Sequence, residues 1–151
     1  MNVQEAPSDH PYPIEIMELV VGRELIDQYN HVNYKKYPRF LEPAQDDYME
    51  KRGIGFPDIE MEYGLLSVVR SINIEYFRDL REGDEVRVTT QVIDIEEGGF
   101  TFEQIITRGE DATTNFQMRI RFVDRIKKKP APIPEKLRKD LVKEIHPESH
   151  S

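Results

Sequence analysis

Within 151 residues, one run gathers most of the groups suited to acid–base work: Asp27-Gln28-Tyr29-Asn30-His31-Val32-Asn33-Tyr34-Lys35-Lys36-Tyr37. It combines a carboxylate, an imidazole, carboxamides and three phenols. Its apolar content is too low for a purely packing role, and loops on a rigid scaffold are where chemistry is usually displayed. Asp27 is of a type that takes a proton from water or attacks a carbonyl directly. An Asp between a strand and a helix also commonly bonds its own backbone in a turn. His31 is open to two readings, an orienting or polarising imidazole and a structural group bonded to a neighbouring carbonyl. Asn33 either holds a water or a substrate carbonyl, or caps the helix that follows. Tyr34 and Tyr37 read as packing groups before catalytic ones. With no cysteine in the chain, disulfides, thiolate metal sites and cysteine nucleophiles are excluded. The four histidines make a metal centre a poor expectation.

The elements around this run are legible from periodicity. Residues 1–13 contain Pro7, Pro11 and Pro13 and predict a flexible lead-in. Ile14 to Val21 suits a strand. After the polar run, Tyr37, Leu41, Ala44 and Tyr48 share a helical face, flanked by Phe40 and Met49, while Arg39, Glu42, Asp46, Asp47 and Glu50 fall opposite. The pattern predicts a helix from Tyr34 or Pro38 to Arg52, kinked near Pro43 and ended by Gly53. Residues 53–64, with Gly53, Gly55, Pro57 and Gly64, read as a long functional loop. Strands follow: Val68, Arg70, Ile72, Ile74 and Tyr76 alternate with Val69, Ser71, Asn73, Glu75 and Phe77, then Val86, Val88, Thr90 and Val92, then Phe100, Phe102, Gln104 and Ile106, then Phe116, Met118, Ile120 and Phe122. Turns at 81–84, 97–99 and 108–111 separate them. A proline-extended tail leads to a short helix over Glu135–Val142, and residues 143–151 read as disordered. One strand, one long helix and four meandering strands predict a single α+β domain over residues 14–142, with the helix laid on an antiparallel sheet.

The formal charge of −8 opposes nucleic-acid binding. No run approaches the ~18 apolar residues of a membrane span, and the N-terminus has neither part of a signal peptide. A soluble cytoplasmic protein is the expectation, with no membrane partner.

The order Asp27-x-x-x-His31-Val32-Asn33-x-x-x-Tyr37 resembles the signature of hotdog-fold thioesterases of the 4-hydroxybenzoyl-CoA thioesterase type. The element order is similar as well, from about Ile16 to Asp140, including Gly83-Asp84 and the Pro-Ile-Pro-Glu segment at 132–135. The resemblance implies a five-stranded antiparallel sheet wrapped around one long helix, and an acyl-CoA or acyl-carrier thioester as substrate. It implies no cofactor beyond the coenzyme A of the substrate itself. Asp27 falls at the family's general base or nucleophile, with His31 and Asn33 beside it. Oxyanion donors come, in the family, from the start of the helix, near Tyr34, or from the loop before the second strand, here Gly64 and Leu65. One lineage carries its acid on the helix, which makes Glu42 and Asp46 alternatives. Relatives are dimers or tetramers with the site at an interface, so a homodimer or homotetramer is expected.

Arg125, Lys127, Lys128 and Lys129 form the one dense basic cluster. It is a weak candidate for gripping the phosphates of coenzyme A, or for attracting an acidic acyl carrier protein; the plainer alternative is a solvated strand end. The chain departs from the family in Leu25-Ile26 before the aspartate, in Asn30 where glycine is common, and in carrying both Pro38 and Pro43. Thioester hydrolysis, enoyl-thioester hydration by an Asp27/His31 pair, and a non-catalytic acyl-binding module are the competing functions. The His-Phe-Pro type segment of the hydratase branch is absent. So are the nucleophile elbow of serine hydrolases and the nucleotide-binding glycine loops.

Overall fold

The computed structural model describes residues 11–145. Five strands make one antiparallel sheet: β1 (Ile14–Val20), β2 (Leu65–Tyr76), β3 (Glu85–Glu96), β4 (Gly99–Arg108) and β5 (Asp111–Asp124), in the spatial order β1-β3-β4-β5-β2. The expected lead-in lies outside the described residues up to 10, and the expected disordered tail lies outside them from 146.

The long helix α1 (Pro38–Lys51) packs on the sheet with the predicted face: Tyr37, Phe40, Leu41, Ala44, Tyr48 and Met49 are all buried. They meet Val86, Val88 and Val92 of β3, Phe100, Phe102 and Ile106 of β4, and Phe116, Met118, Ile120 and Phe122 of β5 in one core. The inward alternation read for these three strands therefore holds. Proline occupies the first position of α1, where its missing N–H is no loss. A separate turn of 3-10 helix over Tyr34–Lys36 precedes it, and the helix runs on through Pro43 as one element.

Residues 53–64 are not the long loop expected. Phe56–Tyr63 form a second helix, α2, with Pro57 in its first turn and Gly64 closing it at φ +66°. Both are ordinary helix-boundary residues. A short α3 (Glu135–Leu141) lies where the sequence placed it. Gly99, at the start of β4, is there for want of room: a Cβ would sit 1.9 Å from the Ile120 carbonyl oxygen.

Edge strand β2 departs from simple alternation. Its register to β5 shifts between Val69 and Ser71, so Arg70 is bulged out. Val69 pairs with Ile120, then Ile72 with Met118 and Ile74 with Phe116, which moves the inward set from odd to even positions. The face read as Val68-Arg70-Ile72 is thus split between both sides of the sheet. Among the described residues no strand pairs with this edge, and Val69 and Ile72 stay 48% and 52% exposed.

Two buried polar assemblies pin the layers together. Gln104 of β4 donates from Nε2 to the Leu41 carbonyl of α1 and to Thr90 Oγ1 of β3, each at 3.0 Å. Arg52, 1% exposed, stacks its guanidinium 3.8 Å from the Tyr48 ring centroid and reaches Glu15 of β1 at 3.0 Å. Tyr48 in turn donates its hydroxyl proton to the Leu141 carbonyl of α3. Among the described residues no helix is long and apolar enough to cross a membrane.

Candidate active site

The polar run closes into a small knot of backbone hydrogen bonds. The Asp27 N–H donates to the His31 carbonyl at 3.0 Å and the Asn30 N–H returns to the Asp27 carbonyl at 3.1 Å. Closing so tight a turn needs one left-handed residue, and Asn30 supplies it at φ +64°. Asparagine tolerates that region better than most side chains, which is how it stands in for glycine here. The Asp27 Oδ1 accepts from the Tyr29 N–H at 2.9 Å and weakly from the His31 N–H at 3.5 Å. The turn-stabilising role is therefore present, and it uses one carboxylate oxygen. No described residue donates to Oδ2, in a half-buried side chain.

Asn33 does cap: its Oδ1 accepts from the Lys35 N–H at 2.9 Å at the start of the 3-10 turn. His31 does not meet Asp27 through its ring. Its Nε2 lies 3.1 Å from Asp79 Oδ2, on the connection after β2. The Val32 N–H bonds the adjacent Leu80 carbonyl at 2.8 Å, tying the same two segments by backbone. The Asp79 carboxyl is held below the usual carboxylate range by a backbone hydrogen bond, with Arg81 and His31 adding to the effect. Tyr37 is packed edge-on against Phe40 and Tyr76, and burial raises its pKa against the lowering by its hydrogen bond to Thr114. Tyr34 stays exposed beside His31, Tyr76 and Phe77 in a shallow depression of about 270 Å³.

A larger groove, about 600 Å³, runs elsewhere: between α1, α2 and the β2–β5 edge, lined by Leu41, Phe56, Leu65, Val69, Ile72 and Met118 among others. Its acids are Glu42, Asp46 and Glu60. Asp27, His31 and Asn33 do not line it. Leu65 does, and Gly64 beside it spends its N–H on the Glu60 carbonyl, 2.9 Å, in closing α2. The structure thus gathers Asp27, His31, Asn33 and Tyr34 at one end of β2 and sets Gly64 and Leu65 at the other.

The basic cluster belongs to that second end. Asp124 Oδ1 accepts from the Ile126 and Lys127 N–H groups, and Lys128 takes φ +60°, forming a tight exposed turn. The Arg125 N–H bonds the Gly64 carbonyl at 2.9 Å, and its guanidinium lies 3.8 Å from Glu60. The turn is thus tied at Arg125 to Gly64 and Glu60, at the end of α2, and none of its residues lines the groove. Among the described residues no group of three or more acidic or histidine side chains is placed to hold a metal ion.

Sequence reading passed over Asp79, Gln45 and Gln104. Asp79 and His31 are 48 positions apart, with no spacing rule to join them. Gln104 did carry a signal, a carboxamide in a core-facing register of β4.

A five-stranded antiparallel sheet packed around one long helix, with a polar loop at the helix entrance, is the hotdog arrangement. The chain belongs to the thioesterase-like superfamily, whose family model matches residues 21–141. It is similar in fold to a 1,4-dihydroxy-2-naphthoyl-CoA thioesterase from Synechocystis (TM-score 0.79, 14% identity, 89% of this chain and 100% of that one). It is similar also to the probable thioesterase YbaW from Escherichia coli (0.76, 23%, 87% and 98%). A third likeness is to a Staphylococcus aureus protein solved in complex with CoA (0.77, 14%, 86% and 82%). A search of curated proteins finds no match. Family membership supports thioester hydrolysis as the general chemistry.

Proposed function

We propose that the chain hydrolyses an acyl-CoA thioester, with Asp27 as general base or nucleophile. The observation that carries this is the Asp27 carboxylate itself, fixed through Oδ1 by the Tyr29 N–H while Oδ2 has no donor among the described residues. A carboxylate oriented by one oxygen and open at the other is equipped to activate water or attack a carbonyl. His31 and Asn33 hold the loop, through Asp79 and the Lys35 N–H respectively.

The substrate's phosphates suit the basic turn at residues 125–129, and its acyl group suits the apolar groove. Within one chain the basic turn and the Leu65 end of the groove are far from Asp27. The eleven steps of β2 from Leu65 to Tyr76 span roughly 35 Å at ~3.3 Å per residue. A second copy resolves this. Antiparallel pairing of two β2 edges about a two-fold axis sets the Leu65 end of one chain beside the Tyr76 end of the other. The basic turn and groove of one copy then approach the Asp27 loop of its partner, and exposed Val69 and Ile72 are covered. A homodimer, alone or within a homotetramer, is the assembly this reading requires. An acyl carrier protein remains the alternative thioester donor, since its acidic surface would meet the same basic turn. Hydration by an Asp27/His31 pair has less support, because the imidazole is turned to Asp79.

One observation favours a second reading, in which the acid is on α1: Glu42 and Asp46 line the large groove and Asp27 does not. Parallel assay of Asp27→Asn, Glu42→Gln and Asp46→Asn separates the two. Loss of thiol release confined to Asp27→Asn supports the loop carboxylate, and loss confined to a helix variant overturns it.

A further inference from the structure

An acid from another element faces the Asp27 loop. Asp79, on the connection from β2 to β3, sets its Oδ2 3.1 Å from His31 Nε2. Held below the usual carboxylate range, Asp79 is ionised at neutral pH and can only accept. The nitrogen at that distance therefore carries a proton, and the neutral ring keeps its lone pair on Nδ1. The connection is itself anchored. The Phe77 and Arg78 N–H groups both bond the Thr113 carbonyl of β5, at 2.9 and 3.2 Å. One guanidinium nitrogen of Arg108 donates to the Asp79 carbonyl at 3.0 Å and to Asp84 Oδ2 at 2.8 Å. Asp84 Oδ2 also accepts from the Arg81 N–H at 2.9 Å, and Arg81 Nε donates back to Asp79 Oδ2 at 3.2 Å. Asp79 is thus held at its backbone and at its side chain, and His31 meets a fixed partner.

Holding His31 matters because its peptide groups hold Asp27. The His31 carbonyl accepts the Asp27 N–H at 3.0 Å, and the His31 N–H is the weaker of two donors to Asp27 Oδ1, at 3.5 Å. We propose that Asp79 is a positioning residue for thioester cleavage: gripping the His31 ring, it fixes the peptide that aims the Asp27 carboxylate. The assignment rests on the hydrolysis reading above. With side chains 42% and 46% exposed, the His31–Asp79 pair adds little to stability in water. Its effect is on geometry, where a shift of about 1 Å costs a reaction up to about 100-fold in rate. The Val32 N–H bond to the Leu80 carbonyl ties the same two segments one residue away, so without Asp79 the loop stays attached while the ring is released.

The test compares Asp79→Ala, which removes the grip, with Asp79→Asn, which keeps a neutral acceptor for His31 Nε2. Kinetics are read on the full chain with whichever of a short, medium, long and aromatic acyl-CoA the wild type cleaves fastest. In Asp79→Ala kcat should fall about tenfold with KM and the melting transition nearly unchanged, and Asp79→Asn should recover part of the loss. Added to His31→Ala, Asp79→Ala should cost nothing further, because both remove one contact. An unchanged kcat in folded Asp79→Ala, or a loss that adds in full to that of His31→Ala, overturns the proposal. A second readout needs no substrate: amide hydrogen exchange at Asp27 and Asn30, with nitrogen NMR of the labelled imidazole. In Asp79→Ala those amides should exchange faster, and the neutral ring should lose its preference for a proton on Nε2. If the wild type cleaves no acyl-CoA, the hydrolysis reading fails on its own, and the spectra still decide the grip. Exchange and tautomer identical to wild type would show that the Val32–Leu80 bond holds the loop alone, and would overturn the role given to Asp79.

Discussion

Tyr48 shows how much a single side chain carries here. Its hydroxyl donates to the Leu141 carbonyl, its ring underlies the Arg52 guanidinium, and burial pushes its pKa up to about 12 from 10. The unfolded chain ionises this phenol near pH 10, while the folded one holds the proton to about pH 12. The unfolded state therefore binds fewer protons in that window, and stability falls as pH rises through it. About 2–3 kcal/mol should be lost between pH 10 and 12, at 1.36 kcal/mol per unit. Tyr48→Phe should flatten this slope and cost about 1–3 kcal/mol at neutral pH by leaving the Leu141 carbonyl without its donor. Denaturant titrations of both proteins across pH 7–12 check it; equal slopes would contradict it. Residues of this kind are only half legible in sequence. The helical spacing put Tyr48 on the buried face, but its partner is 93 positions away. The same limit hid Asp79 from His31. The knot at Asp27 was open to reading because every bond in it joins residues within four positions.

Elements were legible where local pattern and tertiary environment agree. β3, β4 and β5 each turn their alternate apolar residues into the one core, so the inward set read from the sequence survives into the fold. β2 is an edge with a bulge at Arg70, and no sequence rule announced the frame change. α2 was missed for a different reason. Gly55, Pro57 and Gly64 together resemble loop composition, whereas they are the start and stop signals of a helix eight residues long. The phosphate-binding role proposed for the turn after β5 is open to a direct test. Replacing Lys127, Lys128 and Lys129 together by Glu should raise KM for acyl-CoA about tenfold, since each lost phosphate contact is a charge-assisted one. Acyl-pantetheine thioesters lack those phosphates and should be turned over unchanged. Equal losses with both substrates would show that the turn does not bind phosphate.

At the scale of the whole molecule, β2 presents an unpaired ladder of N–H and C=O groups together with Val68, Val69, Ile72, Tyr76 and Phe77 exposed. An edge of that length and apolarity is usually paired or covered. The proposed two-fold pairing predicts twice the chain mass in light scattering, or four times where two such dimers associate. Ile72→Lys, placing a charge in the seam, should shift the protein to single chains and abolish thioester turnover with the fold retained. A fully active single chain would remove the need for a second copy.

The central claim is that the Asp27 carboxylate performs thioester cleavage. It is tested most directly by thiol release from short, medium, long and aromatic acyl-CoAs with the wild-type protein and Asp27→Asn, read with a thiol-reactive dye against a chain that has no cysteine of its own. The asparagine oxygen can still accept from the Tyr29 N–H, so the melting transition should stay within about 1 kcal/mol of wild type. Turnover of at least one acyl-CoA by the wild type, falling by about 100-fold or more in the variant, is the predicted result. Full activity in a folded Asp27→Asn protein would contradict it.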